Sequence, residues 1–145
     1  MPITIAGSGT ITGISAGGLP DSCITTDDIA ANAVTYAKIG TTEQGQLCKA
    51  WVNFNGTGTV AIRASYNVSS ITDNGVGDYT VNFTTAMTDA NYSSAGTVSN
   101  NSGTGSIMIC SNGNSTAPTT TAYRFSTVTY AAAQDCPYVM VSFFR

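Results

Sequence analysis

Charge is almost missing from this chain. Only 9% of its 145 residues are Asp, Glu, Lys or Arg, and it has no histidine. A soluble domain ordinarily carries about 25% charged residues. Without histidine there is no His-based triad, no imidazole general base and no imidazole metal ligand. The five basic residues are scattered, too few to displace counterions along a phosphate backbone, which argues against a nucleic-acid partner. Long apolar runs are missing too. Nothing approaches the roughly 18–20 residues that cross a bilayer, so membrane insertion is not expected. The opening Met1-Pro2-Ile3-Thr4-Ile5 carries no Lys or Arg. It does not read as a secretory leader, and folding in a cytosol is the expectation. Leu, Glu and Lys, which favour long helices, are scarce.

Thr, Ser, Asn and Gly stand where charge would be, beside 42% hydrophobic residues. That is enough for the core of one domain. Gly, Thr, Val and Tyr favour strands and turns. The cysteines Cys23, Cys48, Cys110 and Cys136 are widely spaced, with no C-x-x-C pair. Zinc sites normally show short ligand spacings, so no metal is expected. Buried free thiols are the simplest reading. A bridge between Cys48 and Cys136 stays open.

Three segments follow one another. Residues 1–22 are a Gly-rich arm holding Ile3-Thr4-Ile5 and Thr10-Ile11-Thr12. So little apolar surface cannot form a core of its own and needs another surface to lie on. Residues 23–45 form a stalk in which Ile24, Ile29, Val34 and Ile39 recur every five residues. Thr26 suits an N-cap, Asp27 and Asp28 a first turn, and Gly40 the position past a helix end. A short helix is expected near 27–39, with Ile29, Ala30, Ala33, Val34 and Ala37 on one face. So short a helix is marginal alone in water, and packing against symmetry mates around an axis would support it. Ile24, Ile29, Ala33, Val34 and Ile39 are the expected interface between those copies.

Residues 46–145 read as an antiparallel β head. Val60, Ile62, Ala64, Tyr66 and Val68 alternate with Arg63, Ser65, Asn67 and Ser69, as in a half-buried strand. Asp73-Asn74-Gly75-Val76-Gly77-Asp78 is a turn, and Tyr79, Val81 and Phe83 alternate after it, giving a hairpin over 60–83. Further strands are expected at Ala95–Val98, Ile107–Cys110, Ala122–Tyr130 and Tyr138–Phe144. The last is apolar on both faces, so it is central or covered by a neighbouring subunit. No helix is expected after residue 46. The fold class is all-β, an antiparallel sandwich or barrel, jelly-roll-like.

Chemistry is sparse. Asp73 could start a calcium loop, but its twelfth position is Thr84, so a hairpin turn fits better. Thr119-Thr120-Thr121 and Ser111–Thr116 offer hydroxyls that could match sugar groups or simply line neutral loops. Trp51 is the single tryptophan, and packing in the core or at a subunit interface suits it better than ligand stacking. Asn67-Val68-Ser69 and Asn82-Phe83-Thr84 fit the glycosylation triplet but arise by chance in so Asn-rich a chain. No catalytic residue and no cofactor are expected.

Lys49-Ala50-Trp51-Val52-Asn53-Phe54-Asn55-Gly56, Val60–Gly75 and Asp78–Phe83 together resemble the C-terminal domain of bacteriophage tail-fibre-like proteins, including those of cyanophages. Gly18-Leu19-Pro20-Asp21, with Ile29-Ala30, Ala33-Val34 and Lys38-Ile39, looks like the stalk repeat before such domains. The ending Cys136–Phe144 also fits. The resemblance implies a homotrimeric virion structural protein made in the host cytoplasm, a short tail or head fibre without catalytic residues. Its partners would be other virion proteins, through the arm, and a host surface glycan or protein. A trimeric capsid cement protein is the alternative. The chain departs from longer fibres in having only a short segment before its stalk.

Overall fold

A computed structural model of the chain describes residue 24 and residues 26–99, 108–111, 116–130 and 132–145. The arm 1–22, Cys23, and the loops around Asn100–Gly103 and Asn112–Asn114 lie outside the described residues. The chain divides into two units, residues 1–39 and 40–145.

In the first unit the helix expected over 27–39 is not continuous. Two 3-10 turns, Thr26–Asp28 and Tyr36–Lys38, stand in its place. Their hydrogen bonds are short-range, from Ala33 N–H to Ala30 O (2.9 Å) and from Lys38 N–H to Thr35 O (2.9 Å). Two residues break the ladder. Asn32 sits at φ 65°, and Thr35 is extended at φ −88°, ψ 165°. The expected face of Ile29, Ala30, Ala33, Val34 and Ala37 is narrow and mostly alanine, and Asn, Val and Thr are weak helix formers, so little drives a longer helix. Among the described residues the one α-helical turn, α1 (Thr41–Gln44), lies after it in the second unit.

The second unit is an antiparallel sandwich. The strands are β1 (Cys48–Asn55), β2 (Ala61–Tyr66), β3 (Val68–Gly75), β4 (Asp78–Phe83), β5 (Ser93–Val98), β6 (Met108–Ser111), β7 (Ala122–Val128) and β8 (Val139–Phe144). They form two four-stranded sheets, β2-β1-β8-β5 and β3-β4-β7-β6. The all-β antiparallel class expected from the short alternating runs and turns is present, and of the two expected forms, sandwich or barrel, it takes the two-sheet sandwich.

Period-2 alternation builds the core. Ala50, Val52 and Phe54 of β1 and Val139, Val141 and Phe143 of β8 point inward from the first sheet. Tyr79, Val81 and Phe83 of β4 and Tyr123, Phe125 and Thr127 of β7 meet them from the second. The rings interlock edge to face, Phe54 with Tyr79 at 5.1 Å and Phe83 with Phe143 at 5.0 Å between centroids. Each such buried side chain contributes about 1.5–3 kcal/mol of transfer free energy. The doubly apolar final strand is explained by its place: β8 is central, paired with β1 on one side and β5 on the other.

The expected hairpin over 60–83 is corrected. The run 60–69 is not one strand. It breaks at Asn67, which adopts φ 55°. Before the break β2 pairs with β1 in the first sheet; after it β3 pairs with β4 in the second. The hairpin is therefore Val68–Phe83. Of the supposed inward face only Val68 is buried and Val60 half-buried; Ile62, Ala64 and Tyr66 are exposed. Alternation stays in phase through the break, so periodicity could not reveal it. The left-handed region is costly for most residues and tolerated by Asn. Asn67 also pins the crossing. Its amide donates to Lys49 O (3.2 Å) and Thr85 O (3.1 Å), and its Oδ1 accepts Thr85 N–H (2.7 Å).

Candidate interaction surface

The two outer faces of the sandwich differ in chemistry. On the second sheet Ser70, Thr72, Thr80 and Asn82 project outward and bond one another. Asn82 Nδ2 donates to Ser70 Oγ (3.1 Å) and Thr72 Oγ1 (3.0 Å), and Asn74 Nδ2 donates to Thr80 Oγ1 (2.9 Å). Arg124 adds a two-pronged ion pair to Asp78, Nε at 2.9 Å and Nη2 at 2.6 Å. Polar groups on this face thus satisfy each other.

The first sheet presents another surface. Trp51 lies directly across from Tyr66, and Asn53 from Ala64. Along β8, Met140 and Ser142 flank Asn53 and Trp51, and Ala95 and Thr97 of β5 continue the rows. Trp51 is 38% exposed, Tyr66 60% and Tyr138 49%. The Arg63 guanidinium lies 4.2 Å from the centroid of the Tyr138 ring, close enough for a cation–π contact. None of the outward residues named on this face is acidic. Asn53 Oδ1 is buried there without a hydrogen-bond partner, the one such side-chain atom among the described residues. Strand β2, at the edge, is exposed on both sides along its whole length, and it offers unpaired backbone groups to a further strand.

The structure places the residues singled out in the sequence as follows. Ile24, Ile29 and Val34 are exposed, and Ala33 and Ile39 half-buried. No helix gathers them on one face. Trp51 is on the outer face and not in the core, which removes one of its two expected roles. Asp73 and Asp78 belong to the hairpin turn: Asp73 Oδ1 accepts Gly75 N–H at 3.0 Å, and Asp78 holds Arg124. Among the described residues no three His, Cys, Asp or Glu side chains gather as metal ligands. The hydroxyl of Thr119 is engaged locally, accepting Ala122 N–H at 3.0 Å. Cys48, Cys110 and Cys136 are free thiols, so the Cys48–Cys136 bridge does not form. Burial pushes the Cys136 thiol above its ordinary range.

Sequence reasoning missed a buried polar knot at one end of the sandwich. Asp135 Oδ1 accepts Gly77 N–H (2.7 Å) and the Tyr79 hydroxyl (2.7 Å), which also lies 2.8 Å from Gly56 O. Gly56 N–H donates to Cys136 O (2.9 Å), and Gln134 N–H to Thr127 O (2.9 Å). Burial first, and then the Asp135 carboxylate, hold the Tyr79 hydroxyl far above the usual tyrosine range. The only sequence signal was Gly56 and Gly77. A Cβ at Gly77 would come within 2.6 Å of Gln134 N and Thr127 O, and one at Gly56 within 2.6 Å of the Tyr79 hydroxyl. This knot fixes the segment before β8. It holds no open site.

No protein-family model, curated protein or solved structure matches this chain.

Proposed function

We propose that this chain is a bacteriophage virion structural protein: a short homotrimeric tail or head fibre that attaches the particle to a host surface or to another virion part. The observation that carries the reading is the outer face of the first sheet. It sets Trp51 beside Tyr66 (38% and 60% exposed) without a carboxylate. An aromatic face without carboxylates, whose named charge is the Arg63 guanidinium over the Tyr138 ring, carries little like-charge repulsion where identical chains meet, and exposed apolar area of this kind marks an interaction surface. The exposed Ile24, Ile29 and Val34 support the reading from the stalk side, where three copies would cover one another's side chains. The role is structural, with the arm as the joint to other virion proteins and no cofactor. It rests on the resemblance of residues 49–83 to tail-fibre-like domains. The protein would be made in the host cytoplasm and act on the virion.

Two measurements test it. Light scattering of the purified chain at micromolar concentration should give three times the chain mass; a monomer mass rejects the trimer. Electron microscopy of labelled particles should place the protein on a projecting fibre. Regular sites across the capsid shell would instead make it a cement protein, and absence from the particle rejects both.

A further inference from the structure

The described residues contain two Asn-Gly pairs, Asn55-Gly56 and Asn74-Gly75; Asn112-Gly113 lies outside them. Such pairs are chemically fragile, because a glycine nitrogen with no side chain beside it can reach the preceding side-chain carbonyl carbon. We propose that Asn74 is a spontaneous deamidation site and that the fold protects Asn55.

Both glycine N–H groups are hydrogen-bonded and both Asn amides donate, but the two sites differ in burial, in the space beside the glycine and in the ladder around it. Gly56 is buried, its N–H donates to Cys136 O at 2.9 Å, and a Cβ there would meet the Tyr79 hydroxyl at 2.6 Å. The Asn55 amide is clasped as well. Its Nδ2 donates to Thr57 O (2.6 Å), and its Oδ1 accepts the Thr57 hydroxyl (2.9 Å). Asn74 and Gly75 are both exposed, and a Cβ on Gly75 would meet nothing within 4 Å. The register slips between Asp73 and Gly75, so Asn74 is the extra residue of a bulge, where the ladder is locally released. Gly75 N–H bonds to the Asp73 side chain (3.0 Å). Gly75 itself sits at φ +132°, with the conformational freedom the attack needs.

In the reaction, Gly75 N loses its proton and forms a bond to Asn74 Cγ. The bond from Cγ to the side-chain nitrogen breaks, and that nitrogen leaves as ammonia. Water then opens the resulting cyclic imide at one carbonyl or the other, giving Asp or iso-Asp at position 74. Nothing is oxidised or reduced. The product adds one negative charge to a chain whose net charge is −3. It removes the donor that bonds Thr80 Oγ1 (2.9 Å) and lies 3.5 Å from Asp78 Oδ1. A carboxylate in that place lies beside the Asp78 carboxylate. The iso-Asp form also lengthens the backbone within the bulge.

The test is peptide-mapping mass spectrometry of the full folded chain during incubation at mildly alkaline pH. The peptide holding Asn74 should gain the mass of NH2 exchanged for OH. The peptide holding Asn55 should do so at least about tenfold more slowly, because its reactive geometry needs a local opening. A second incubation in denaturant should bring the two rates together. Equal rates in the folded chain overturn the proposal. So does an Asn74 peptide that converts in denaturant but not in the folded protein.

Discussion

The Tyr79 hydroxyl stands between two acceptors, Asp135 Oδ1 at 2.7 Å and Gly56 O at 2.8 Å. One phenolic proton thus ties β4 to the loop after β1 and to the segment before β8. Tyr79→Phe keeps the ring packed on Phe54 and removes only that link. It should cost about 1–3 kcal/mol, since buried acceptors lose their donor. Urea unfolding at neutral pH would show it as a lower midpoint with unchanged slope.

The same hydroxyl makes stability fall in alkali. Its folded pKa is raised by burial and by Asp135, and burial pushes Tyr92 up to about 12. A raised folded value means that the contribution is complete below the unfolded pKa of about 10. It is lost as pH climbs from there toward the folded values. Wild type should therefore lose stability above about pH 10. Tyr79→Phe and Tyr92→Phe should each flatten that limb in unfolding curves measured across the range.

Asn67 should be hard to replace. Asn67→Ala keeps φ 55° only at a cost of about 1–2 kcal/mol for a left-handed residue. It also loses the bonds to Lys49 and Thr85. Asn67→Gly relieves the backbone term and loses only the bonds, so it should be the milder of the two. Equal losses in chemical denaturation would refute the backbone part of this account.

The outer aromatic face yields a test of assembly. Tyr66→Lys puts a charge at an exposed position (60%) that makes no core contact. It should lower the particle mass seen by light scattering while thermal unfolding of the β head stays within about 0.5 kcal/mol of wild type.

Thiol labelling should be graded. Cys136 is fully buried, and its pKa is raised by burial, so it should react only on unfolding. Cys48 and Cys110 are half-buried and should react first. A reducing agent should leave the melting temperature unchanged.

The acid side should respond through the last residue. Arg145 bonds both carboxylate oxygens of Asp89 and holds its pKa below the ordinary value. A depressed folded pKa contributes above the unfolded value of about 4. That contribution is lost as pH falls through the folded value. Asp89→Asn should remove this small term, seen as a shallower acid limb.

Much of the β head was legible. Strand β4 alternates strictly, and its inward residues Tyr79, Val81 and Phe83 can be named from spacing alone, because period 2 has one buried face; β8 is apolar on both faces, and its place between β1 and β5 decides which residues face the core. The turn at Asp73–Asp78 was legible from its glycines. The stalk was not. Its caps suggested a helix, yet the apolar face between them, Ile29, Ala30, Ala33, Val34 and Ala37, is narrow and mostly alanine, and favourable ends with so little to bury cannot hold three turns. The outer aromatic face was half legible. Trp51 was visible as an oddity, but its neighbour Tyr66 comes from another strand, and only the β1–β2 register sets them side by side.

The low charge, the strand-and-turn composition and the alternating core faces were settled by the amino-acid order, since each follows from local periodicity and residue type. Which sheet each strand joins was decided only in three dimensions. One Asn at φ 55° sends an uninterrupted alternating run across the sandwich. Burial then makes one carboxylate, Asp135, the partner of a tyrosine 56 residues away. Such pairings depend on distances between strands, and no local pattern in the chain encodes them.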